Sequence, residues 1–271
     1  MTVPAPLRSE IVLDGRRLET AWWDAADPAS KGEDQASRPA IVLLHEGLGC
    51  IDLWRDIPAI LATWTRLPVF AYSRFGYGRS DSAPLPWPVT YMHDEARLVL
   101  PRVLRAVGIG RHVLVGHSDG GSIAVINAGS VQDPGLAAII TIAAHFFVEP
   151  VNVAAIQRTR LSYLSSDLRA RLARYHSNVD IAFHGWSNTW LDPRFRDFDI
   201  TGYLPAIRVP ILGLQGQDDP YGTDAQLAAL TDHARVRAET RLIANARHAP
   251  HLEARQETLA AITGFILELP Q

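Results

Sequence analysis

The chain has a single cysteine, Cys50, so an internal disulfide and a structural zinc site built on several thiolates are both excluded. No apolar run approaches the ~18 residues of a membrane-spanning helix. Residues 1–10 lack the charged-then-apolar pattern of a secretory signal. A dominant charge is missing too, since 26 Lys and Arg stand against 29 Asp and Glu for a formal net charge of −3. Without a basic surplus there is no electrostatic reason to expect nucleic acid or an anionic membrane as partner. The expectation is a cytoplasmic protein acting on a small molecule, with a homodimer compatible but not required.

What is present is ordinary for a globular chain, with 47% hydrophobic and 20% charged residues, and 271 residues suffice for one α/β domain carrying an insertion. Short apolar runs alternate with amphipathic stretches, the pattern of a mainly parallel sheet with helices on both faces. Strands are predicted at 10–13, 18–23, 40–45, 68–72, 112–115, 137–143, 209–215 and 239–243. The first two form an antiparallel hairpin around Asp14-Gly15. Helices are predicted at 53–64, 91–107, 122–129, 224–233 and 255–267. Residues 25–39 have the composition of a surface loop.

The stretch around 146–204 breaks the alternation. It is rich in arginine and aromatics and helical in period, and it reads as a helical cap inserted between a first core part, 1–145, and a second, 205–271. Its place is the carboxyl edge, where open α/β sheets bind ligands.

The chemistry-bearing motif is Gly116-His117-Ser118-Asp119-Gly120-Gly121, which follows the apolar run Val113-Leu114-Val115 and precedes Ile123-Ala124-Val125-Ile126. A G-x-S-x-G run between strand and helix sets serine on a strained turn, its hydroxyl pushed out over a helix N-terminus. Serine is a poor nucleophile at neutral pH and needs a base, which in turn needs an orienting acid. Gly216-Gln217-Asp218-Asp219-Pro220 supplies an acidic loop after one predicted strand, with Asp218 and Asp219 as candidates. Asn245-Ala246-Arg247-His248-Ala249-Pro250-His251 supplies a histidine loop after the last, with His248 and His251 as candidates.

Motif type and the order Ser, Asp, His resemble the α/β-hydrolase superfamily over nearly the whole chain, and within it the capped serine esterase and carbon–carbon bond hydrolase branch. The resemblance implies the α/β-hydrolase fold, a mostly parallel eight-stranded sheet with helices on both faces and an inserted helical cap. The family's acid lies three residues after the loop glycine, which selects Asp219. Its base matches His248, leaving His251 to pack against the last helix. The oxyanion donors carried over are the N–H of Asp119 and, from His45-Glu46-Gly47-Leu48-Gly49, that of Gly47. Glu46 departs from the family's His-Gly-Gly-x-Gly loop. A carboxylate near an oxyanion repels it unless it points away or is protonated, so a side chain bonded to its own loop is favoured over one that meets substrate. Ser73-Arg74-Phe75-Gly76-Tyr77-Gly78-Arg79-Ser80 resembles an architectural turn in which Arg74 ties loops together.

The cap implies an apolar wall from Phe146, Phe183, Trp186 and Trp190, against the plainer reading that such aromatics pack the cap onto the core. Arg158, Arg160, Arg169, Arg171 and Arg174 read as a solvated helix face. His145, His176 and His184 lack metal-ligand spacing. No metal and no cofactor is expected, and Gly76-x-Gly78 lacks a nucleotide-binding spacing. The implied function is a serine hydrolase cleaving a small carboxylic ester, or a related carbonyl substrate, through an acyl-enzyme on Ser118. The alternatives are a carbon–carbon bond hydrolase of ring-cleavage products, a cofactor-free oxygenase and a ligand-sensing hydrolase-like protein.

Overall fold

The computed structural model describes residues 4–24 and 39–270. The loop expected at 25–39 therefore falls, apart from Pro39, outside the described residues. Eight strands form one sheet: β1 (Leu7–Leu13), β2 (Arg16–Trp23), β3 (Ala40–Leu44), β4 (Val69–Tyr72), β5 (His112–His117), β6 (Leu136–Ile142), β7 (Ile211–Gly216) and β8 (Ala238–Ile243). Their order across the sheet is β1-β2-β4-β3-β5-β6-β7-β8. The hairpin β1/β2 turns at Asp14-Gly15 and joins β4 antiparallel, and all remaining pairings are parallel.

The inner strands are apolar throughout because both faces are covered. On β5, Val113 and Val115 face one core while Leu114 faces the other, and Ile41 and Leu43 on β3 oppose Val42 and Leu44 in the same way. One face is covered by α1 (Ile57–Thr65) and the terminal α10 (Arg255–Leu267). The other is covered by α2 (Tyr91–Asp94), α3 (Leu100–Ala106), α4 (Asp119–Ser130) and α8 (Ala225–His233).

Two predicted helices are interrupted, each for a local reason. The helix expected at 53–64 divides into a 3-10 turn, Ile51–Trp54, and α1, with Arg55 between them at φ 54°. Pro58 then sits in the first turn of α1, where no N–H is needed. The helix expected at 91–107 runs from α2 through a π turn, Glu95–Val99, into α3. Pro101 has no N–H to offer the preceding turn and its ring crowds the carbonyl there, so the ladder widens. One carbonyl of that wide turn, Ala96, accepts instead from Asn127 Nδ2 on α4 at 2.8 Å.

Between β6 and β7 the chain leaves the sheet through α5 (Pro150–Ser165), α6 (Leu168–Leu172) and α7 (Val179–Leu191), returning by 3-10 turns at Pro193–Asp197 and Thr201–Ala206. The base of this excursion is closed by a bridge between Phe147 and Asp199, with Ile200 N–H donating to the Phe146 carbonyl at 2.7 Å. α9 (Pro250–Glu253) forms a single turn before α10. None of the described helices is long and apolar enough to cross a membrane.

Candidate active site

β5 ends at His117, and the chain reverses at Ser118 with φ 51° and ψ −118°, a left-handed conformation that a non-glycine residue holds only under constraint from its surroundings. The constraint is contact. A side chain at Gly116 would collide with the backbone of Gly120, and one at Gly120 with the carbonyl of Leu44, so both glycines of the motif let the strand and α4 approach. Ser118 sits just ahead of α4 and is buried.

The loops after β7 and β8 bring an acid and a base to this turn. His248 Nε2 lies 3.1 Å from Ser118 Oγ, and His248 Nδ1 faces both oxygens of Asp219, at 3.0 and 2.8 Å. A carboxylate accepts, so Nδ1 carries the proton and Nε2 presents its lone pair to the serine hydroxyl. Asp219 is fixed in turn by Gln215 Nε2 at 2.6 Å and the N–H of Tyr221 at 2.8 Å. Burial pushes its carboxyl up, but the contact with His248 outweighs this and holds it below the usual range. Asp218 is exposed and takes no part. His251 is buried edge-on to His117, ring centroids 4.6 Å apart, and tilted against Trp54 at 5.3 Å. The short helix that carries it, α9, also packs against α10. Burial and the neighbouring His117 push the His251 imidazole well below 6.5.

The loop after β3 is clamped through one carbonyl. Arg74 N–H donates to His45 Nε2 at 3.0 Å, which leaves His45 Nδ1 as the donor to the Glu46 carbonyl at 2.7 Å, and Arg74 Nη2 donates to the same oxygen at 2.9 Å. In a trans peptide the C=O and N–H point in opposite directions. The N–H of Gly47 is thereby turned away from Arg74. Arg74 thus ties loops together as expected, and it also lies 3.6 Å from the buried carboxylate of Asp119. That carboxylate accepts from Tyr91 Oη at 2.6 Å and from Trp190 Nε1 at 3.3 Å, so the residue after the serine is bound to α2 and α7. Burial pushes the Asp119 carboxyl up, and these three partners offset only part of that.

A cavity of about 90 Å³ opens over Ser118, Asp119 and His248. One side is Glu46, Gly47 and Leu48. The roof is Trp186 and Trp190 from α7 with Asn152 and Ile156 from α5, and His145 and Tyr221 complete it. Phe146 and Phe183, expected on the wall, are not there. Phe146 is buried at the base of the excursion, where Gln226 Oε1 accepts its N–H at 2.7 Å, and Phe183 stacks on Tyr163 with centroids 3.6 Å apart. Both serve packing, the plainer of the two readings. The five arginines expected on a solvated helix face, at 158, 160, 169, 171 and 174, are exposed.

The sequence reading missed His145, Asn152, Ile156, Tyr221 and Leu48. His145 follows the carboxyl end of β6 and Tyr221 stands two residues beyond Asp219, positions that the edge rule for open sheets marks. Asn152 and Ile156 form an i, i+4 pair on α5, a spacing visible in sequence but shared by every helix. Tyr221 packs on the His248 ring at 4.6 Å and its hydroxyl is 2.7 Å from Thr159 Oγ1 on α5. His145 lies parallel to His248 at 5.8 Å, and burial with the neighbouring His248 lowers it to about 3, so it is a neutral ring. His176 accepts from the Gly78 N–H at 2.9 Å and its Nε2 donates to the Leu48 carbonyl at 3.0 Å, fastening the excursion to the β3 loop. Among the described residues no group of three or more His, Cys, Asp or Glu could hold a metal ion.

Glu46 lies 3.4 Å from His117 Nδ1, an ion-pair distance whose geometry is not that of a hydrogen bond. His117 Nε2 is 2.8 Å from the backbone carbonyl of His248 and donates to it. Burial lowers His117, but Glu46 and that carbonyl together hold it above 6.5. Burial likewise pushes Glu46 up, and His117 overcomes this and holds it below the usual carboxylate range.

A family model described as the alpha/beta hydrolase family matches residues 41–262. No curated protein sequence matches the chain significantly. Among solved structures, proline iminopeptidase from Mycobacterium smegmatis superposes with a TM-score of 0.73 at 18% identity, covering 96% of this chain and 97% of that one. A thermophilic esterase from Thermogutta terrifontis, with malate bound, gives 0.70 at 19% identity over 96% and 98%. The enol-lactonase from Burkholderia xenovorans LB400 gives 0.69 at 19% over 96% and 100%.

Proposed function

The chain belongs to the alpha/beta hydrolase family, and we propose that it is a serine hydrolase that cleaves a small carboxylic ester through an acyl-enzyme on Ser118. The observation that carries this reading is the alignment of Ser118 Oγ, His248 and Asp219 at 3.1 and 2.8 Å. Ser118 Oγ attacks the ester carbonyl carbon and its proton passes to His248 Nε2. The imidazolium that forms is stabilised by Asp219. Negative charge develops on the carbonyl oxygen, where the N–H groups of Asp119, in the first turn of α4, and Gly47 are the donors. Collapse of the tetrahedral species breaks the ester C–O bond, and the alcohol leaves with the proton from Nε2. Water then attacks the acyl carbon, giving one proton to Nε2, and the acid departs as Ser118 recovers its hydrogen.

The excursion at 146–204 acts as a cap in this reading, with Trp186 and Trp190 bounding the pocket. A cavity of about 90 Å³ favours a short acyl group over a long one. The test is hydrolysis of p-nitrophenyl esters, acetate through octanoate, by the wild type and by Ser118→Ala. Turnover that favours the short esters and vanishes in the variant is expected. Turnover retained by Ser118→Ala refutes the acyl-enzyme.

A further inference from the structure

The ionised groups around the cavity are arranged in two layers. Glu46 and Asp119 are the acidic residues that line it, and no lysine or arginine does. The basic side chains lie one layer behind: Arg74 is 3.6 Å from Asp119 Oδ2, and His117 is 3.4 Å from Glu46 Oε2, both buried. The two acids differ in reach. Asp119 has no exposed side-chain surface and both its oxygens are engaged by Tyr91 and Trp190. The Glu46 side chain keeps 26% of its surface and makes one charged contact. Space for that carboxylate is built into its own loop, because a side chain at Gly49 would collide with it. Of the two imidazoles that line the cavity, His145 is neutral and offers an anion no charge in return.

We propose that Glu46 is a specificity-determining residue, which makes this site select substrates with uncharged acyl groups and reject those carrying a carboxylate. An anion entering the cavity meets the Glu46 carboxylate before it meets His117. Like charges at such range in a partly desolvated site repel by an amount that discriminates between substrates. A neutral ester of the same shape meets no such barrier.

The inference rests on the serine-hydrolase reading for its site but is tested separately from it. The pair to compare is p-nitrophenyl butanoate and mono-p-nitrophenyl succinate, acyl groups of equal carbon count that differ by one carboxylate. The wild type is expected to favour the butanoate strongly in kcat/KM. In Glu46→Gln and in Glu46→Gly the ratio of the two should fall by about tenfold or more, whatever happens to the absolute rates. An unchanged ratio in both variants, or a wild type that takes both esters equally, overturns the proposal. Should neither ester turn over, the same comparison is made by binding of butanamide and succinamate, read by tryptophan fluorescence with Trp186 and Trp190 on the wall. Loss of the preference for butanamide in the variants then supports Glu46 while the ester reading fails, and its persistence overturns Glu46 too.

Discussion

Ser118 occupies a backbone conformation with φ 51° that costs free energy, and the strain is sustained because strand, helix and two glycines leave the chain no other path. What it yields is a hydroxyl held 3.1 Å from an imidazole nitrogen whose partner ring nitrogen is locked by Asp219. The two neighbouring acids are therefore unequal. Asp219→Asn removes the acceptor that sets the tautomer and is expected to lower kcat by roughly 10³–10⁴, with KM little changed. Asp218→Asn, at an exposed position, should leave kcat within about twofold. Steady-state kinetics on the preferred p-nitrophenyl ester checks both, and a reversed order would reassign the acid. By the same reasoning His248→Ala is expected to abolish turnover. His251→Ala vacates a packed site against Trp54 and His117 and is read first as a lower Tm.

Elements matter here through what they press against the turn at Ser118. α7 carries Trp186 over Gly47 and Trp190 onto Asp119, and it comes this close because Gly185 lies against the Trp87 ring. A methyl at Gly185 would overlap that ring. Gly185→Ala is accordingly expected to destabilise the fold by about 1–3 kcal/mol and to weaken turnover by displacing the roof. Urea unfolding and kcat/KM measured together test this, and a variant as stable and active as the parent would show that α7 can shift without consequence. The interrupted helices belong to the same scale. Pro58 and Pro101 were in plain view, yet apolar spacing alone ran straight through both, because periodicity records which face is buried and not where the hydrogen-bond ladder is broken.

Across the whole molecule, buried histidine dominates the response to acid. His45, His112, His145, His176 and His251 are all buried, with the folded protein holding each below the ordinary 6.5 and His145 down to about 3. Between 6.5 and those lowered values the unfolded chain binds protons that the folded chain does not, so stability falls with falling pH. His117, raised by Glu46, works in the opposite sense and offsets a part of the loss. A fully differential histidine contributes roughly 2 kcal/mol of this loss by pH 5. The urea midpoint should therefore drop clearly from pH 7 to pH 5. A midpoint that is flat or rises over that range would mean these rings are protonated in the folded state.

The sheet and the order of its chemistry were legible because they are written in local terms. Alternating apolar runs such as Val113-Leu114-Val115 declare strands covered on both faces, and a strand end followed by Gly-x-Ser-x-Gly declares a tight turn. The strands placed from sequence, at 10–13, 18–23, 40–45, 68–72, 112–115, 137–143, 209–215 and 239–243, lie in the eight-stranded sheet with shifts of a few residues at their ends. What the chain could not declare is which side chains face one another across the cavity. Phe146, Phe183, Trp186 and Trp190 look alike in sequence, yet only the tryptophans meet the cavity, because the rotation of α7 and the closure of the excursion at Phe147 and Asp199 are set by long-range packing. The pairing of Glu46 with His117 is of the same kind. It joins the loop after β3 to the end of β5, residues 71 positions apart, and only the folded sheet, with β3 beside β5, brings them within 3.4 Å.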